Sequence, residues 1–120
     1  MPSAYGRRRG TAIIETEKGI LVVAQSHRAY LLPGGGARPD ELQIQSAIRE
    51  LREETGLYPI EVKYLFKHMA AKIFLMKVKG TPRPRNEIIR IAYYQPGNGI
   101  KVSPNTKKII DQYYSLYASK

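Results

Sequence analysis

Glu50, Glu53 and Glu54 stand at positions i, i+3 and i+4 of one segment. On a helix turning about 100° per residue they form a single acidic stripe. Three like charges this close repel one another, so the stripe weakens its helix unless something neutralises it. A divalent cation does so. Mg²⁺ is a hard ion that prefers carboxylate and carbonyl oxygen, keeps several waters and bridges to phosphates. Taken alone, the three glutamates also fit a merely solvated helix face. The flanking residues decide between the two.

Outward from the stripe stand Gly35, five residues, Glu41, seven residues, then Arg49-Glu50-Leu51-Arg52-Glu53-Glu54-Thr55-Gly56-Leu57. This resembles the Nudix box, G-x5-E-x7-R-E-U-x-E-E-x-G-U with U apolar, and every fixed position matches. The resemblance implies a Nudix-type α/β/α sandwich with a mixed β-sheet, MutT-like and compact, as one domain over residues 1–120. It also implies hydrolysis of a nucleoside diphosphate linked to another moiety, by attack of water on phosphorus. The cofactor it implies is Mg²⁺, with Mn²⁺ as a substitute, held by Glu50, Glu53, Glu54 and the backbone carbonyl of Gly35. A glycine suits that place because a side chain would obstruct the approach of backbone to metal and phosphate.

The same resemblance distributes the remaining roles. Arg49 orients the box carboxylates, one turn before Glu53. Glu53 is favoured as the base, with Glu50 and Glu54 as the firmer metal ligands. Glu87 is the later candidate for a catalytic carboxylate, although it also reads as an ordinary strand-start glutamate. Many relatives carry a second acid near Arg90, and here the residue is arginine. Glu41, early in the helix and paired with Arg49 or Arg52, and Gly56, at the helix end, are structural.

Substrate contacts are less sharply marked. Arg28 and Arg38 flank the glycine loop, and Arg8 belongs to the basic run Arg7-Arg8-Arg9. Each is a candidate to grip phosphate. The expected partner is a small nucleotide or polyphosphate. Dinucleoside polyphosphates and diphosphoinositol polyphosphates stay open as alternatives, as does a non-catalytic module that binds nucleotide or RNA. Nucleic acid is not the favoured partner, no membrane partner is expected, and both monomer and homodimer fit.

The elements that must position these residues follow from pattern. TAIIET (11–16) and GILVVAQ (19–25) are β-branched runs around a short turn. AYLLP (29–33) reads as a strand, and GGGARPD (34–40) as a loop. A helix is expected over about 41–55, with Asp40 as N-cap, Gly56 as its stop, and Ile44, Ala47, Ile48 and Leu51 on its core side. Strands follow at 58–68, 71–80 and 87–95. Ser103 and Pro104 open a last helix over about 104–117. Residues 1–9 read as a basic arm or as the approach to the first strand.

Composition sets outer limits. The chain has 120 residues and no cysteine, which excludes disulfides and thiolate chemistry. No apolar signal segment opens it, and runs such as GILVVA are too short to cross a bilayer, so a cytoplasmic enzyme is expected. The net charge is +10, yet five of the ten acids fall within residues 40–54. Acids concentrated in basic surroundings suit a site that holds a cation and draws in an anion.

Overall fold

The two β-branched runs near the N-terminus do not stay in one sheet. In the computed structural model, which describes residues 7–118, the first becomes β1 (Arg9–Ile13) and β2 (Glu15–Thr16), and the second becomes β3 (Gly19–Ala24). β2 pairs with β3 in a three-stranded antiparallel sheet completed by β7 (Arg90–Tyr94). β1 joins a mixed four-stranded sheet of order β4-β1-β6-β5, with β4 at Gly34–Gly36, β5 at Tyr58–His68 and β6 at Ala71–Lys79. The β1–β6 pairing is parallel and the others are antiparallel. The helices are α1 (Gln43–Thr55) and α2 (Pro104–Tyr113), the latter running into a π-helical turn at Tyr114–Ala118.

Strand alternation sends residues to two helices. Ile13, Ile20, Val22 and Ile73 pack with Ile109, Ile110 and Tyr113 of α2. Ala12, Ile14, Leu21, Phe74 and Met76 pack with Ala47 and Leu51 of α1. The result is the α/β/α layering expected from the sequence. The core side of α1 is the expected one, with Ala47 and Leu51 fully buried and Ile44 and Ile48 packed against them. Ser103 caps α2, its hydroxyl accepting from Thr106 N–H at 3.2 Å, with Pro104 in the first turn.

Four local expectations are corrected. The glycine run is an edge strand: Gly34, Gly35 and Gly36 pair with Thr11, Gly10 and Arg9. AYLLP forms only isolated bridges, Leu31 to Val23 and Tyr30 to Val102. The N-cap of α1 is Leu42, not Asp40, and Gln45 Oε1 accepts the Leu42 N–H at 2.7 Å. Glu41 therefore lies in the turn before the helix. Of the arm at 1–9, residues 1–6 lie outside the described residues, while Arg9 already belongs to β1.

Candidate active site

The edge strand β4 and the helix α1 meet at Gly35. A Cβ built on Gly35 would lie 2.3 Å from Glu50 Oε2, so only glycine lets the carboxylate rest against the strand. Glu54 sits deeper, 5% exposed, and its Oε1 accepts the Gly34 N–H at 3.1 Å. The side chains of Glu50 and Glu53 are 22% and 44% exposed. The stripe thus climbs from a buried carboxylate to an open one.

Burial raises the Glu54 carboxyl to about 8, with the charges of Glu50 and Glu87 adding to the rise and the Gly34 N–H and the Arg9 charge opposing it. Glu50 is also raised, chiefly by burial, with Arg49 opposing.

Arg49 knits the motif together. Its Nε and Nη2 donate to Glu41 Oε2 and Oε1 at 2.7 and 2.9 Å. Nη1 lies 3.3 Å from both Glu50 Oε2 and Glu53 Oε1, and Nη2 also reaches the Gly36 carbonyl at 3.1 Å. Glu41 is held to about 2 by the Arg49 guanidinium, with the Arg38 N–H assisting. The guanidinium of Arg49 is pushed further above its ordinary value by the same contact. Glu41 pairs with Arg49 rather than Arg52, whose guanidinium stacks 4.4 Å from the Tyr58 ring.

The expected substrate arginines separate. Arg8 donates to the Glu41 carbonyl. Arg38 gives its backbone N–H to Glu41 Oε1 at 3.0 Å. Arg28 is exposed on the loop after β3, where its carbonyl accepts from Arg90. Neither Arg28 nor Arg38 lines either of two cavities, one against β1 and α2 and one against α1. Arg90, standing where an acid was sought, is tied down: it lies over the Tyr30 ring at 4.8 Å and donates to the carbonyls of Ser26 and Arg28.

Sequence reasoning placed Arg7 and Arg9 in a basic run that could grip phosphate but missed the other residues of the first cavity. It has a volume of about 380 Å³ on the face of β1 opposite α1, and is lined by Arg7, Arg9, Thr11, His68, Asn105 and Ile109 among others. Strand alternation puts Arg9 and Thr11 on the same face of β1 as Ile13. His68 Nε2 is buried there with no hydrogen-bond partner among the described residues. The second cavity, about 440 Å³, is bordered by Arg49, Arg52, Glu53, Tyr58, Arg85 and Asn86. Strand β4 has the Glu50 carboxylate against Gly35 and the Arg7 guanidinium against Gly36.

The fit of a divalent cation can be judged from the donors. Glu50, Glu54 and the Gly35 backbone offer hard oxygen at one place, in a cradle a Cβ would fill. The buried Glu54 charge has no cation bonded to it among the described residues. Among those residues no three acidic or histidine side chains yet converge on one point. Arg49 stands between Glu50 and Glu53 instead. The donor set suits Mg²⁺ chemically, with Arg49 neutralising the stripe in this arrangement.

An α/β sandwich with a carboxylate stripe facing a glycine strand is a frame for hydrolysing phosphoric anhydrides. Residues 5–114 match the NUDIX domain, and the chain belongs to the Nudix hydrolase family, whose members use divalent cations. The structure of a protein assigned to the nudix hydrolase family from Chromobacterium violaceum is 41% identical, with a TM-score of 0.87 over 97% of this chain and 81% of that one. The CTP pyrophosphohydrolase of Escherichia coli (strain K12) is 44% identical over 62 residues, 48% of this chain and 46% of that protein. That match spans about half the length of the curated relative. A MutT structure, from Aliivibrio salmonicida or Vibrio cholerae, shares the fold with a TM-score of 0.74 at 17% identity, over 92% of this chain and 98% of that one. No described helix is long and apolar enough to cross a membrane.

Proposed function

We propose that the chain, as one Nudix domain, is a Mg²⁺-dependent pyrophosphohydrolase that cleaves a nucleoside triphosphate to the monophosphate and pyrophosphate. The observation that carries this reading is the buried Glu54 beside Glu50 and Gly35, a hard-oxygen set in a cradle that a Cβ would fill. Glu50, Glu54 and the Gly35 carbonyl are the ligands, and Mn²⁺ is the natural substitute. A bound divalent ion supplies charge neutralisation on the phosphates and lowers the pKa of water.

The chain's own residues do the rest. Glu53, the most open of the three carboxylates, accepts the proton of the attacking water. Arg49 aims Glu50 and Glu53 and is itself aimed by Glu41. Arg7 and Arg9 draw the anionic substrate across β4, and the cavity behind them takes the nucleoside. The partial likeness to a CTP pyrophosphohydrolase puts pyrimidine nucleotides first among candidates.

The test is a panel of nucleoside triphosphates, sugar nucleotides and dinucleoside polyphosphates with Mg²⁺ or Mn²⁺, products separated by ion exchange. Monophosphate and pyrophosphate from at least one nucleoside triphosphate are expected. Turnover of none of them with either metal contradicts the proposal.

A further inference from the structure

Two arginines of the cavity beside α1 have no acid to answer them. Three arginines line it, and Arg49 is fully engaged: its five N–H groups all have acceptors, on Glu41, Glu50, Glu53 and the Gly36 carbonyl. Arg52 and Arg85 are not. Arg52 donates once, from Nη2 to the Tyr58 hydroxyl at 3.1 Å. Arg85 donates once from its side chain, from Nη1 to the Arg52 carbonyl at 3.3 Å. Neither guanidinium forms an ion pair among the described residues. Each therefore keeps most of its N–H fork without a protein acceptor.

Both are nevertheless held in place. The Arg52 guanidinium lies 4.4 Å from the centre of the Tyr58 ring, a contact that restrains its position. The Tyr58 hydroxyl accepts from Arg52, so its own proton is left to donate. Arg85 passes over Gly56, where a Cβ would stand 3.4 Å from its Cδ and Nη1. Its backbone N–H donates to the Glu54 carbonyl at 3.1 Å, and Asn86 Nδ2 donates to the Glu53 carbonyl at 2.7 Å, so this stretch is fastened to the end of α1. Glu53 is the only acid lining the cavity among the described residues, and Arg49 already stands 3.3 Å from it. The cavity, about 440 Å³, thus carries a surplus of positive charge together with unused donors.

We propose that Arg52 and Arg85 form an anion subsite that takes the pyrophosphate end of the substrate, the group that leaves. Planar guanidinium forks match the paired oxygens of phosphoryl groups, and a pyrophosphate offers enough oxygens and charge for both at once. The place suits the reaction. Glu53, the proton acceptor in the reading above, stands on the wall of this cavity, while the nucleoside is given to the first cavity. The subsite rests on that reading for its part in the reaction, but its hold on pyrophosphate needs no turnover.

Inorganic pyrophosphate, titrated calorimetrically into the protein in EDTA, tests the pair without metal. The set is wild type, Arg52→Gln, Arg85→Gln, Arg85→Lys, Arg83→Gln and Arg9→Gln. Arg83→Gln removes the same charge two residues from Arg85, from a side chain outside the cavity lining. Arg85→Lys keeps a donor for the Arg52 carbonyl, and replaces Arg85→Gln should the latter fail to fold. Arg52→Gln and Arg85→Gln should bind at least about tenfold more weakly, and Arg85→Lys more weakly than wild type. Arg83→Gln should stay within about twofold of wild type, and Arg9→Gln should lose less than either cavity variant. On a nucleoside triphosphate, Arg52→Gln and Arg85→Gln should raise KM about tenfold with kcat within about twofold, the mark of lost binding rather than lost chemistry. An equal loss in Arg83→Gln would reduce the effect to net charge. A loss confined to Arg9→Gln would move the anion to the first cavity, and a wild type that binds no pyrophosphate would leave no subsite. Each of these overturns the proposal. A chain that binds pyrophosphate in the expected pattern yet hydrolyses nothing refutes the functional reading and leaves the subsite standing. Hydrolysis of a nucleoside triphosphate, with pyrophosphate affinity and KM unchanged in folded Arg52 and Arg85 variants, refutes the subsite alone.

Discussion

Arg49 grips Glu41 at two points, Nε to Oε2 at 2.7 Å and Nη2 to Oε1 at 2.9 Å. The pair ties the turn after β4 to the middle of α1. A two-point arginine–carboxylate contact fixes orientation as well as distance. It leaves only Nη1 for Glu50 and Glu53. Glu41 thus reaches Glu50 and Glu53 only through Arg49.

Replacing Glu41 with Gln should lower kcat by about tenfold or more, because Arg49 loses the partner that aims it. Its pH signature is specific. The folded Glu41 carboxyl lies near 2, below its ordinary 4.5. A depressed pKa contributes stability that is present above the unfolded value and is lost as pH falls from 4.5 towards 2. The melting-temperature gap between wild type and Glu41→Gln should be widest above pH 4.5 and shrink below it. A gap independent of pH would exclude the ionised pair as its source.

Glu54→Gln removes a buried carboxyl that bonds no cation among the described residues. Without metal the variant should melt no lower than wild type, since an unpaired buried carboxylate costs several kcal/mol or is forced to protonate. With saturating Mg²⁺ the wild type should rise in melting temperature and the variant should not. Turnover should fall by about a hundredfold or more, beyond the usual effect of losing a residue that only supports a ligand. Differential scanning calorimetry with and without Mg²⁺ reads both stability effects. An equal Mg²⁺ response in the two proteins would remove Glu54 from the ligand set.

Gly35→Ala tests the cradle. The added Cβ would sit 2.3 Å from Glu50 Oε2, so Glu50 must move. Isothermal titration should show Mn²⁺ affinity reduced by about tenfold. Gly97→Ala offers a contrast, because nothing lies within 4 Å of its Cβ, although its φ of 81° adds backbone strain. It should leave metal affinity unchanged, whatever it does to stability.

Tyr113 governs the alkaline limit. It is 4% exposed, and its hydroxyl donates to Glu15 Oε1 at 2.5 Å. Burial and then that carboxylate push its ionisation well above the ordinary 10.0. A raised folded pKa means stability that is complete below the unfolded value and lost as pH climbs past it. Wild type should therefore lose stability above about pH 10 faster than Tyr113→Phe. At pH 7 the same variant should be less stable by about 1 kcal/mol, the usual worth of one hydrogen bond. Urea midpoints at the two pH values check both statements.

Much of the site was legible because its geometry is local. The Glu50, Glu53 and Glu54 stripe, the core side at Ala47 and Leu51, and the stop at Gly56 all lie within about three turns of one helix, where periodicity dictates neighbours. The strand at 34–36 was not, because three glycines carry no side-chain pattern. Its pairing comes from β1, whose Gly10 and Thr11 lie opposite. Asp40 lost the cap because Glu41 is held by the Arg38 N–H and by Arg49, which keeps the turn out of the helix until Leu42. Arg9, His68 and Asn105 meet in one cavity from three separate elements, a non-local fact that no short spacing encodes.

The central claim is that Glu50, Glu54 and Gly35 hold a divalent cation for attack of water on phosphorus. Hydrolysis of a nucleoside triphosphate in ¹⁸O-labelled water, followed by mass spectrometry of the products with Mg²⁺ and with EDTA, tests it most directly. The account predicts one ¹⁸O on a phosphorus-bound oxygen of the monophosphate or the pyrophosphate, and no product in EDTA. Undiminished turnover in EDTA, or products whose phosphoryl groups carry no label, would contradict it.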